Sequence, residues 1–246
     1  MHEIHGSNGF DKKIYTKEYI ENGIRVMKKY LIPSLEYQSC KDFIWMLNIG
    51  DKANITHLKL LLNFKISFKL VIIYNKDMKN FIKNITKNID ILITTRIDYD
   101  DRIYYDAVND VRKVVNISKP IFLYGYDRGF YYFEKYNIYT KFFKKWKNEG
   151  AIGIFESLII LISKVNDVYT IYDMGDHRKI KKKLFTAVNY KKYGLKKLDY
   201  EPAIFETNAP KFVYVRQSYS RSFIYNGKPN GKAVYFDLNK FYGINK

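Results

Sequence analysis

The chain has 246 residues and a mass of 29.4 kDa, is 47% hydrophobic and 17% aromatic, and carries a formal charge of +18. So apolar a composition excludes a disordered chain, because enough surface can be buried to offset the entropy of ordering. The length suits one globular α/β domain, and the single cysteine, Cys40, excludes an internal disulfide and fits a reducing cytosol. The opening "MHEIHGSNGF" lacks the apolar centre of a signal peptide. The longest apolar stretch, "AIGIFESLIILIS", carries Glu156 and is shorter than the roughly 20 residues that span a bilayer. These features predict a soluble, cytoplasmic protein.

Ile20, Ile24, Met27 and Leu31 recur at spacings of four, three and four, which predicts an amphipathic helix ended near Pro33. "DFIWMLNIG" (42–50) and "FKLVIIYN" (68–75) read as short buried strands, with a helix between them over "NITHLKLLL" and Asn54 or Thr56 near its N-cap. "MKNFIKNITKN" predicts a further helix and "IDILITT" (89–95) a third buried strand, and such alternation implies parallel βαβ units.

The third strand runs into Arg96 and then "IDYDD", which gathers Asp98, Asp100 and Asp101 within four residues of a chain otherwise poor in acid. Neighbouring carboxylates repel unless positive charge sits among them. In open α/β sheets the loop at the carboxyl end of a strand is where ligands bind. Hard oxygen donors there suit Mg²⁺ or Mn²⁺, which commonly bridges to substrate phosphates. If the segment is extended, Asp98 and Asp100 face the same side. The plainer reading makes Asp100 or Asp101 the N-cap of a helix that carries Ile103, Ala107, Val108, Val111 and Val115 on one face.

Beyond this point strands dominate: "IFLYGY", "FYYFEKY", "VYTIYDM" and "FVYVRQSYS". Glu156 interrupts an apolar run, either buried, where its pKa would rise, or on the solvent side of a helix. From Arg178 to Lys197 every charged residue is positive, and "KFFKKWK" around Trp146 interleaves lysines with aromatics. These patches suit phosphates of a nucleotide, an anionic membrane or nucleic acid. Much of the charge is lysine alongside abundant Ile, Asn and Tyr, as AT-rich codons give, and most lysines are then solvated surface. Nucleic acid is the least favoured partner: the sequence has no zinc spacing, no RNP-like aromatic motif and no P-loop.

The string "TTRIDYDDRIYYDAV" resembles the T-R-L-D-x-D-D segment of the bacterial rhamnosyltransferase family of nucleotide-sugar glycosyltransferases. "RVMKKYLIPSLEYQSCKDFIWML" is similar to another of its segments, matching at Arg25, Leu31, Pro33, Ser34, Leu35, Gln38, Asp42, Phe43 and Trp45. "FESLIILISKVNDVYTIYDMGDHRKI" looks like its F-x-S-L-I segment followed by a strand and a histidine, here His177. The closing P-x-W-x-x-V-H-x-x-N-x-S is altered: Trp becomes Phe212, His becomes Arg216 or Gln217, and Asn becomes Tyr219. The opening strand with an R-F-N-like segment is not visible.

The resemblance implies a GT-A-like, Rossmann-type mixed sheet flanked by helices in one domain. About 1–101 would form the nucleotide-sugar-binding half and about 102–246 a strand-rich acceptor half. It implies transfer of a sugar, with rhamnose a candidate, from a nucleotide-diphosphate donor to a glycan or lipid-linked acceptor, with Mn²⁺ or Mg²⁺ as cofactor. Asp98, Asp100, Asp101 and His177 would hold the metal, and Arg96, Asp98 and Asp100 the donor. Asp176 or Glu156 would be the catalytic base, with Asp173 a further carboxylate in the same half. Tyr104 and Tyr105 would stand near the metal loop as stacking surfaces for sugar. Two other functions use the same features: a basic protein that binds nucleic acid or an anionic surface without catalysis, and a metal-dependent phosphodiesterase or nucleotidyltransferase.

Overall fold

In the computed structural model, residues 16–51, 65–115, 120–126, 128–143, 155–165, 167–168, 170–173, 200–205, 210–216, 229 and 232–244 are described. The helix expected over 54–62, the Trp146 segment, Asp176, His177 and the basic run 178–197 lie outside them.

Helix α1 (Lys17–Lys29) begins where Tyr19 N–H donates to the Thr16 hydroxyl, with Glu18 in its first turn and Lys28 and Lys29 in its last, charges that complement the helix dipole. Its Ile20, Ile24 and Met27 are buried as the spacing predicts. Pro33 does not end it. A break at Tyr30 (φ −120°, ψ −61°) does, and Pro33 falls in the first turn of α2 (Leu31–Glu36), where a missing N–H costs nothing. Strands β1 (Ile44–Ile49) and β2 (Lys69–Tyr74) pair in parallel, Ile44 with Lys69 through Ile49 with Tyr74. Helix α3 (Met78–Ile85) follows, then β3 (Ile91–Arg96).

The chain then departs from the expected helix. Residues 102–103 form β4 (Arg102–Ile103), and the helix, α4 (Ala107–Lys113), starts four residues later behind Asp106. Tyr104 N–H donates to Lys211 O (2.9 Å) and Tyr105 N–H to Phe241 O (3.3 Å), so the backbone after Ile103 is held out of a helix by neighbours that no local pattern reveals. The rest is β5 (Ile121–Tyr126), β6 (Arg128–Phe133), β7 (Ile138–Phe143), β8 (Glu156–Leu161), β9 (Tyr200–Phe205), β10 (Phe212–Arg216), β11 (Ala233–Val234) and α5 (Leu238–Tyr242).

The architecture is mixed α/β, but the described strands form three sheets rather than one continuous Rossmann-type sheet: β1-β2, β3-β8-β5-β9 and β11-β7-β6-β10-β4. β3 does not hydrogen-bond to β1 or β2; it lies antiparallel to β8, which also lies antiparallel to β5. Every residue of β8 is buried, as a central strand requires. The main core draws on both halves, joining Ile24, Met27 and Leu31 to Trp45, Leu47, Tyr124, Tyr126, Ile159 and Phe212. Among the described residues no helix is long and apolar enough to cross a membrane.

Candidate active site at the carboxyl end of β3

Arg96 ends β3 and stands in register with Glu156, the first residue of β8. Residues directly opposite in an antiparallel pair carry their side chains on the same face, about 5 Å apart. Both residues are buried, at 7% and 1% exposure. Arg96 Nε lies 3.7 Å from Asp98 Oδ1. Glu156 is in a strand and buried, not on the solvent side of a helix.

The residue before Glu156 is conformationally unusual. Phe155 has φ +54°, in the left-handed region that costs a non-glycine residue on the order of 1 kcal/mol or more. It is buried and stacks on Tyr126 with ring centroids 5.3 Å apart, a contact that offsets the strain and sets how the chain enters β8.

The acidic segment is a turn and not an extended strand: Asp101 N–H donates to Asp98 O (3.2 Å). Alternation therefore does not apply, and the three carboxylates diverge. Asp98 points toward Arg96. Asp100 stays partly exposed, and its charge acts on Tyr19, whose phenol burial pushes up, Tyr99 lowers by a hydrogen bond and Asp100 raises further. Asp101 is 1% exposed and turns inward, its Oδ1 accepting the Val215 N–H at 3.3 Å. That contact extends the short β4–β10 pairing, in which Ile103 and Arg102 oppose Phe212 and Val213. Neither Asp100 nor Asp101 is the helix N-cap; Asp106 occupies that position.

Among the described residues no group of three or more His, Cys, Asp or Glu is placed to hold a metal ion. The expected triad of Asp98, Asp100 and Asp101 is thus not assembled, because Asp101 faces the protein interior. Two partly exposed carboxylates, Asp98 and Asp100, remain at the loop, and that donor set fits Mg²⁺ or Mn²⁺, ions commonly held by one or two carboxylates together with substrate phosphates.

On the face that carries Arg96 and Glu156, the segment expected as the strand "VYTIYDM" forms a turn over Thr170–Asp173 instead. Thr170 N–H and hydroxyl both donate to Asp173 Oδ2 (2.6 and 3.0 Å), so Asp173 closes a turn. Ile171 N–H donates to Thr94 Oγ1 (2.9 Å), pinning the turn to β3. Tyr172, a residue the sequence pattern does not single out, feels the charges of both Arg96 and Asp98; burial pushes its phenol up to about 12, with Arg96 opposing and Asp98 adding to the rise. Tyr104 and Tyr105 are packing residues: Lys211 Nζ sits 4.1 Å over the Tyr104 ring, which also meets Phe241, and Tyr105 lies against Gly243.

The family model described as "Putative rhamnosyl transferase" matches residues 7–189. The chain belongs to this family. No curated protein matches it. The rhamnosyl transferase match spans about three quarters of the chain and includes Arg96, the acidic turn, Glu156 and the Thr170–Asp173 turn. It stops short of β9 and β10, and Phe212, Arg216, Gln217 and Tyr219, where the closing segment departs from the family pattern, all lie beyond it. Membership points to a glycosyltransferase.

Proposed function

We propose that the chain is a metal-dependent glycosyltransferase that moves a sugar, rhamnose being the candidate its family description names, from a nucleotide-diphosphate donor to a hydroxyl of a glycan or lipid-linked acceptor. The observation that carries this reading is the convergence of Asp98, Arg96 and Glu156 at the carboxyl end of β3 inside the span that matches the family.

Glycosyl transfer needs the leaving diphosphate stabilised as negative charge develops on it, and a base for the acceptor hydroxyl. Asp98 and Asp100 would hold Mn²⁺ or Mg²⁺, which when bound supplies Lewis-acid stabilisation of the diphosphate. Arg96, with its Nε 3.7 Å from Asp98 Oδ1, keeps the Asp98 carboxylate oriented without reorganisation during the reaction. His177 is the proposed further ligand. Asp176 is the proposed base, with Glu156, buried opposite Arg96 in the β3–β8 register, the alternative. The basic run 178–197 is the proposed contact for donor phosphates, acceptor or an anionic membrane face.

Turnover of a panel of nucleotide sugars with and without Mn²⁺, for the protein and for Asp98→Asn, tests the reading. Mn²⁺-dependent turnover that Asp98→Asn removes supports it. Salt-sensitive nucleic-acid binding without turnover would instead favour a non-catalytic basic protein.

A further inference from the structure

The acidic turn hangs between two fixed ends. Upstream, β3 is paired with β8 as far as Arg96 opposite Glu156. Downstream, residues 101–104 run along β10: Arg102 and Ile103 oppose Val213 and Phe212, Tyr104 N–H donates to Lys211 O at 2.9 Å, and Asp101 Oδ1 accepts the Val215 N–H at 3.3 Å. That last contact departs from the ladder. The antiparallel register, carried on from Arg102 opposite Val213, would set Asp100 against Val215. The backbone instead turns over residues 98–101, closed by Asp101 N–H on Asp98 O (3.2 Å), and the Asp101 carboxylate satisfies the amide that a continuing strand would have met. Asp101 and Val215 are 1% and 0% exposed, so their bond is made out of reach of water, whereas Asp98 and Asp100 stay partly exposed.

We propose that Asp101 is a positioning residue for the metal loop: by standing in for a strand partner at Val215 it lets the chain leave the sheet, and so keeps Asp98 and Asp100 out of the β4–β10 ladder and open to a divalent cation. The proposal rests on the metal-dependent reading and divides the triplet by task, two carboxylates for the cation and one for the fold of the loop. It also draws β10, which lies beyond the span that matches the family, into the function of the loop. The role needs an acceptor oxygen of the right reach and not a negative charge, and an asparagine side chain carries such an oxygen. A metal ligand, by contrast, is weakened by losing its charge whichever neutral residue replaces it.

The test uses the full chain with inorganic pyrophosphate as probe, titrated calorimetrically with and without Mn²⁺ so that the metal-dependent part of binding is read, together with urea unfolding. Asp101→Asn, Asp101→Ala and Asp98→Asn are compared with the parent protein. Asp98→Asn should abolish the metal-dependent binding. Asp101→Ala should weaken it about tenfold, and Asp101→Asn, which keeps the acceptor for Val215, should stay within about threefold of the parent. A merely structural Asp101 gives Asp101→Ala a lower urea midpoint with parent-like binding, and a metal-ligating Asp101 gives equal weakening in both variants. Either result overturns the proposal and leaves the metal-dependent reading standing if Asp98→Asn still abolishes binding. Should Asp101→Ala not fold, Asp101→Asn decides alone: binding within about threefold of the parent upholds the proposal and weaker binding overturns it. A parent protein with no metal-dependent binding, or an Asp98→Asn variant that binds as well as the parent, overturns both.

Discussion

Asp101 Oδ1 accepts the Val215 amide in a fully buried setting, whereas Asp98 keeps partial exposure beside Arg96, so neighbouring carboxylates carry different consequences when removed. Asp101→Ala orphans a buried backbone donor and should destabilise the fold by about 2 kcal/mol, read as a lower urea midpoint. Asp98→Asn should leave that midpoint within experimental scatter while lowering nucleotide-sugar turnover by about 100-fold or more, the scale of losing one preorganised electrostatic contact. Gly129 makes a third case. A Cβ there would lie 2.3 Å from the Phe212 ring, which is fully buried and belongs to β10, the strand beside β6. Gly129→Ala should cost about 1–3 kcal/mol by overpacking, measurable by the same unfolding experiment. The sequence shows the acidic triplet plainly. It does not show which carboxylate turns inward, because that depends on β10, more than a hundred residues away.

At the scale of elements, α1 is tied to the turn after β6 through Glu134, which accepts from Lys29 Nζ (2.7 Å) and from the Tyr30 hydroxyl (2.5 Å). Burial pushes the Glu134 carboxyl up, but the hydrogen bonds from Lys29 and Tyr30 outweigh it and hold the group below its ordinary 4.5. A depressed folded-state pKa contributes stability that is present above the unfolded value and lost as pH falls through the folded one. Glu134→Gln should therefore lower the urea midpoint at pH 7 and differ less from the parent as pH drops below about 4, in a pH series of unfolding curves. The helix α1, strands β1, β2 and β3 and helix α3 are legible because each has its own apolar period and end signals. The Tyr30 break and β4 are not, since Arg102 is held by tyrosines remote in sequence: its guanidinium lies 4.7 Å over Tyr30 and 5.6 Å over Tyr132, and it donates to the Tyr139 hydroxyl; nor is the Thr170–Asp173 turn, which is pinned to Thr94 of β3. Helix α5, passed over in the sequence, carries a readable signature, Asp237 as N-cap and Gly243 at φ +69° as the left-handed stop.

Across the whole molecule, the chain carries a charge of +18, while its acidic triplet is gathered at the end of β3. The surplus charge draws polyanions non-specifically, and such attraction falls steeply with salt. Any binding to duplex DNA at low salt should accordingly be the same for the parent and Asp98→Asn and indifferent to Mn²⁺, as checked by fluorescence anisotropy over a salt series. Chemistry, by contrast, should depend on one carboxylate and one metal. The division of the sheets follows from the same long-range pairings: β3 has an apolar strand pattern that any neighbour satisfies, and the all-buried β8 takes that place. The most direct test is the rate of sugar transfer or donor hydrolysis across a nucleotide-sugar panel, with Mn²⁺ and with chelator, for the parent and Asp98→Asn. At least one donor should be turned over in a reaction that requires the metal and disappears in Asp98→Asn; turnover that survives both the chelator and the substitution would contradict metal-dependent transfer at this loop.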